Sequence, residues 1–222
     1  MNRSSLPIAV ALALSGGMLL TACGGGGSDD GDKIQPPATT AAAPTITAAT
    51  PAPTATQAAA ANAPKFDLPS DITADFKGFD SDPKNKAVLQ DASYAAKAVL
   101  ELEARTNTKV TPNFARFFTG ERGAAYADSL ISQGKDGNVI TGTYHYYKPV
   151  VKSVAGGNLS VRYCEDQRKA YAKNVKTGKV NVTTPSLSDF RLWTLLMTKS
   201  STGEWQVFDH TWVKGAKQCE VV

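Results

Sequence analysis

Beyond residue 80 the chain runs through two hydrophobic rhythms, and their order sets the expected architecture. Val88, Ala92, Ala95, Val99 and Leu102 recur at steps of four and three, which draws one apolar stripe along a helix. Ser81-Asp82-Pro83 opens that helix, with a capping residue directly before a proline suited to the first helical position. The alanines keep its inner face small enough for close approach to a sheet. Asn107 and Pro112 separate it from a short apolar helix around Phe114, Phe117 and Phe118, which Thr119-Gly120 stops. A third helix is expected over 121–133, with Ala124, Ala127, Leu130 and Ile131 inward and Gly134 and Gly137 at its end.

After Gly137 the period falls to two. Strands are expected over 139–147, 150–154 and 159–164, the first pair parted by Pro149 and the second by Gly156-Gly157-Asn158. The segment 170–175 pairs either with 159–164 or with 179–182, around a turn at Thr177-Gly178. A last hairpin, 190–198 with 204–213, closes around Ser200-Ser201-Thr202-Gly203. Helices followed by a run of antiparallel strands predict a single α+β domain over 65–222.

The first 64 residues follow neither rhythm. Arg3 precedes an apolar run from Leu6 to Leu20, broken only by Ser15 and Gly16-Gly17, and Leu20-Thr21-Ala22-Cys23 follows directly. The run falls short of the roughly 20 unbroken apolar residues of a membrane span. This segment resembles the lipobox of bacterial lipoproteins, whose cysteine takes a diacylglyceryl group, is exposed by cleavage and is commonly acylated. The resemblance implies a signal peptide over 1–23, lipidation at Cys23 and an extracytoplasmic protein anchored to the cell membrane through that lipid. Residues 24–64 read as a linker: Gly24 to Ser28, a short acidic patch, then Ala, Thr and Pro without charge from Ile34 to Pro64. They lack the apolar mass to repay their ordering entropy. As a coil they would hold the domain about 35 Å from the membrane.

Charge narrows the function classes. Of 24 Lys and Arg and 20 Asp and Glu, all but Arg3, Lys33, Asp29, Asp30 and Asp32 fall in residues 65–222, which therefore carry +5. Lys169, Lys173, Lys176 and Lys179 are the densest group, at an expected turn, and no concentrated basic stripe with stacking aromatics marks a nucleic-acid partner. With Cys23 lipidated, Cys164 and Cys219 remain as a pair in an oxidising compartment, and a disulfide is expected between them. No nucleophile elbow, P-loop, metal-binding histidine pair or dinucleotide fingerprint occurs, so neither metal nor cofactor is expected. Glu165-Asp166 reads as part of a turn. On the last strand, strict alternation puts Trp205, Val207, Asp209 and Thr211 on one face and Gln206, Phe208, His210 and Trp212 on the other.

The segments Gly137-Asn138-Val139-Ile140-Thr141-Gly142-Thr143, Pro149 to Val154, Val161-Arg162-Tyr163-Cys164-Glu165-Asp166 and Glu204-Trp205-Gln206-Val207, in this order after the helices, resemble the nuclear transport factor 2-like superfamily, and within it actinobacterial lipoproteins with a SnoaL-like domain. The resemblance implies a cone, with the helices lying in a strongly curved antiparallel sheet. In the enzymes of that superfamily a carboxylate inside the cone takes a proton or activates water, and a tyrosine or second acid stabilises the developing oxyanion. Asp209 with Tyr144 or Tyr146 is the nearest counterpart here, although none of the three aligns with a family catalytic position. Two classes follow. One is a non-catalytic module of the cell envelope that takes a small hydrophobic ligand, in a mostly apolar pocket, or an envelope protein; the other is an enzyme of the isomerase, cyclase or hydrolase kind. The absent motif favours the module. A homodimer through the sheet stays open.

Overall fold

The structure, a computed structural model, describes residues 62–221, so the expected signal peptide, Cys23 and nearly all of the linker lie outside the described residues. Asp82 fulfils its expected role: its carboxylate accepts from the backbone N–H groups of Lys84 (3.1 Å) and Asn85 (3.3 Å), at the start of a 3-10 turn, Pro83–Asn85, that leads into helix α1, Lys86–Glu103. The apolar stripe of α1 is buried apart from the partly buried Val99, with Ala92, Ala95 and Ala98 wholly enclosed. Thr111 caps α2, Pro112–Phe117, through the N–H of Phe114 (3.3 Å), and α3 spans Gly120–Gly134.

Six strands form one mixed, curved sheet: β1 (Ile72–Phe76), β2 (Asn138–Ser153), β3 (Leu159–Asn174), β4 (Val180–Asn181), β5 (Phe190–Lys199) and β6 (Trp205–Lys214). Their order is β1-β2-β3-β5-β6, with the two-residue β4 pairing beside β3. The expectation of an all-antiparallel sheet is corrected at one edge, where β1 lies parallel to β2. All other pairings between the strands are antiparallel, and Phe118 adds an isolated parallel bridge to Val207. The coarser expectation, an α+β domain of helices packed on a curved sheet, holds.

Two further corrections concern strand length. The segments 139–147 and 150–154 are one strand, β2, because the chain passes Pro149 by a register shift between Tyr147 and Val150, with Lys148 at φ 54°, instead of turning away. Likewise β3 unites 159–164 with all but the last residue of the expected 170–175, so Glu165 and Asp166 are strand residues and not a turn. A second irregularity in β2 lies between Thr143 and His145, next to Gly142 at φ +98°. A Cβ on Gly142 would collide with the carbonyl oxygen of Lys169 across the ladder.

The helices and one face of the sheet enclose the main core, in which Phe114, Phe117, Leu100, Leu102, Met197 and Val207 are almost inaccessible. A smaller cluster of Tyr147, Cys164, Phe190, Ala216 and Cys219 lies on the other sheet face, where Cys164 and Cys219 form the expected disulfide with Cα atoms 5.3 Å apart. The Tyr147 hydroxyl donates to the Cys219 carbonyl, adding a second tie. The edge at β6 is covered: Thr119 N–H donates to the Val207 carbonyl (2.9 Å), Gln206 to the Arg116 carbonyl (2.7 Å), and Asp91 accepts from Trp205 N–H (2.9 Å). No helix among the described residues is long and apolar enough to cross a membrane.

Candidate functional site

Sheet register assembles the candidate site from residues distant in sequence. On the face that meets the helices, one row sets Phe76, Tyr146, Glu165, Arg191 and Lys214 side by side across five strands. The next row is Tyr163, Trp193, Trp212, and the one after it is Val161, Leu195, His210. Opposite them, the last two turns of α1 present Ala95, Ala96, Val99, Leu100 and Glu103. Large side chains fill most of the gap between these layers. A cavity of about 30 Å³ remains, with Glu103, Glu165, Gln167 and Arg191 on its wall among the rings of Tyr126, Tyr146, Tyr163 and Trp193.

The polar groups there are unequally satisfied. Glu165 is 3 % exposed and accepts a hydrogen bond from the Trp193 indole N–H at 2.7 Å. Its register partner Arg191 stands farther off, with Nη1 4.0 Å from the carboxylate, and rests its guanidinium 4.9 Å from the centre of the Trp212 ring. The buried Nε of Arg191 has no partner. Glu103, the last residue of α1, has no hydrogen-bond partner among the described residues. Burial, reinforced by the negative charge of Glu165 and opposed by Arg191, pushes its carboxyl up to about 7. Glu103 is half-buried by accessible surface and lines the cavity. Burial first, and the nearby carboxylates second, raise Tyr126 and Tyr144 well above the ordinary phenol range; burial and Glu165 do the same for Tyr146 and Tyr163.

The sequence candidates divide. Tyr146 lines the cavity, and Tyr144 is buried close to the same carboxylates without being part of the wall. Asp209 lies elsewhere: its Oδ1 accepts from the N–H of His210 (2.8 Å) and stands 3.4 Å from Arg122 Nε, outside the cavity. The reason is a bulge in β6. Leu196 pairs with Asp209 and Met197 with Val207, so Phe208 is an extra residue and the alternation expected for this strand breaks there. After the bulge, His210 returns to the row of Leu195, its ring 4.1 Å from that of Tyr126, with Nδ1 buried and unpartnered. Burial lowers its pKa, and Arg122 adds to this against the pull of Asp209.

Sequence reasoning passed over Glu103, Glu165 and Arg191. Each carried a signal. Glu103 follows Val99 by four on the inward stripe of α1, Glu165 extends the alternation of Val161 and Tyr163, and Arg191 extends that of Trp193 and Leu195. The expected mostly apolar pocket is therefore smaller and more strongly charged than those aromatic residues alone suggest.

No family model matches this sequence, and no curated protein matches it. Among solved structures it is similar to the intermembrane space region of chloroplast protein ARC6, at 13 % identity over 54 % of this chain and 95 % of that one, with a TM-score of 0.31. It is also similar to a protein from Catenulispora acidiphila, at 10 % identity over 60 % of this chain and 91 % of that one, with a TM-score of 0.35.

Proposed function

We propose that this chain is an extracytoplasmic lipoprotein held to the membrane through Cys23, and that its folded part is a nuclear transport factor 2-like cone acting as a binding module without turnover. The order of elements supports the cone, with helices preceding four long strands of a curved sheet. The lipobox and the linker support the anchor. One observation supports the module over the enzyme: the cavity between α1 and the sheet that gathers these charged and aromatic side chains holds only about 30 Å³. That space accommodates roughly two water molecules. It admits a head group and excludes a whole substrate of the size that cyclases or isomerases handle.

One observation favours an enzyme instead. A partnerless carboxyl held near 7 is suited to move protons at neutral pH. The two readings separate in a single set of measurements. Ligands with small polar heads should perturb the fluorescence of Trp193 on the cavity wall, and none should be converted. Turnover of any of them, abolished in Glu103→Gln and retained in Asp209→Asn, would establish the enzyme and refute the module.

A further inference from the structure

The cavity wall is one positive charge short. Two carboxylates, Glu103 and Glu165, face a single guanidinium, that of Arg191. Glu165 is engaged by Trp193 at 2.7 Å and lies 4.0 Å from Arg191, whereas Glu103 is held by nothing among the described residues. The remaining wall is aromatic, from Tyr126, Tyr146, Tyr163 and Trp193. Ring faces attract cations, and most strongly where water is excluded. A half-buried carboxylate without a donor, walled by rings, is a receptor for a compact cation that brings its own N–H groups.

We propose that this cavity binds the ammonium head of a small primary amine, with its N–H groups on Glu103 and its charge against the aromatic wall. The proposal rests on reading the domain as a binding module and names its ligand class. Size agrees, since the space of roughly two waters suits an ammonium nitrogen with its first carbon. A metal ion fits less well, because no group of three His, Cys, Asp or Glu side chains converges among the described residues. An anion would meet two carboxylates. Arg191 lines the cavity and keeps 28 % of its side chain exposed, with Trp212 beside it at 46 % exposure, so the route to solvent would run past these two. The rest of the amine would leave along that indole.

Binding is then linked to the ionisation of Glu103. The groups facing it are Tyr126 from α3, Tyr144 and Tyr146 from β2, Glu165 and Tyr163 from β3 and Arg191 from β5, with His210 of β6 behind Tyr126. The tyrosines stay neutral through pH 8, and burial disfavours charge on His210. Glu103 is therefore the group whose charge changes between pH 6 and 8. A carboxyl near 7 is about one-tenth ionised at pH 6 and nine-tenths at pH 8, while a simple alkylamine stays protonated at both.

The test uses the full chain in detergent micelles and methylammonium chloride, read by calorimetry and tryptophan fluorescence at constant ionic strength. Two heavy atoms limit the dissociation constant to the order of 10 mM at best. Saturable binding is expected, about ten-fold tighter at pH 8 than at pH 6. Methanol and sodium acetate should give no response. Glu103→Gln should lose both the affinity and its pH dependence while retaining the wild-type circular dichroism. Should that variant not fold, the side-chain carboxyl carbon signal of Glu103 in the wild-type chain serves instead, and its titration should move to lower pH in methylammonium. Equal affinity at the two pH values, equal binding of methanol, or no methylammonium binding would overturn the proposal. If methylammonium is silent and a neutral ligand binds without conversion, the cation is refuted and the module stands. Conversion of bound ligands would instead refute the module.

Discussion

Glu103 sits where a helix ordinarily hands its last side chain to water, yet here it is half-buried on the wall of the cavity. A carboxyl raised on folding binds its proton more tightly in the native state than in the unfolded chain. Its favourable contribution is complete below the unfolded value of 4.5 and is lost as pH rises towards about 7. The loss amounts to at most about 3 kcal/mol, reduced by the accessible surface that Glu103 retains. Glu103→Gln should therefore leave stability unchanged at pH 4 and raise it at pH 8, by up to that figure, in urea denaturation. Asp91, raised chiefly by burial, works in the same direction. Asp71 and Asp166 work in the opposite one. Lys173 and Thr141 lower Asp71, while Arg168 lowers Asp166 by more than burial raises it, so both contribute above the unfolded value of 3.8 and lose that contribution as pH falls. The wild-type chain should accordingly lose stability on both sides of the weakly acidic range.

Among the elements, irregularities in the strands decide more than the strands themselves. Gly142 takes a left-handed conformation next to the β2 irregularity and has the Lys169 carbonyl against it. Gly142→Ala should cost about 2 kcal/mol or more, measured as a fall in thermal midpoint with the fold otherwise retained. Such features limit what a sequence discloses. The stripe and cap of α1, the short phenylalanine helix and the last hairpin are local patterns, and the structure has them where the pattern does. Strand β1 alternates Ile72, Ala74 and Phe76 over only five residues, and nothing local says that its partner lies seventy residues on and runs parallel. The two sixteen-residue strands read as pairs, because Pro149 in one and the charged run from Glu165 to Lys169 in the other interrupt the apolar alternation. The site was harder still to read. An acid at the end of an apolar stripe looks like the helix reaching solvent, and only register across three strands brings Tyr146, Glu165 and Arg191 into one row. Asp209 was misplaced for the converse reason, since Phe208 adds one residue that a period of two does not count.

For the whole molecule, one covalent tie is present in the fold, the disulfide, and a second, the lipid on Cys23, is proposed. The bridge from Cys164 to Cys219 closes a loop with a sequence separation of 55, and joins the end of the chain to a central strand. Reduction, or replacement of both cysteines by serine, should lower unfolding free energy by about 4 kcal/mol in the chain-entropy account. Cys23→Ala should release the protein from membranes into the soluble fraction, and a variant that still partitions wholly with membranes would refute the anchor. At the other end the chain is sewn down before the sheet begins. Arg116 holds the Asn62 carbonyl at 2.7 Å, Asn113 the Lys65 carbonyl at 2.9 Å, and Glu101 the Asp67 N–H at 2.7 Å, while Phe66 packs against Tyr94. Tension arriving along the backbone from residue 61 would load these stitches to α1 and α2 before reaching β1. If the proposed lipid anchor holds the domain, a pull on it would thus be taken first by a short seam that can re-form, with the edge strand still paired.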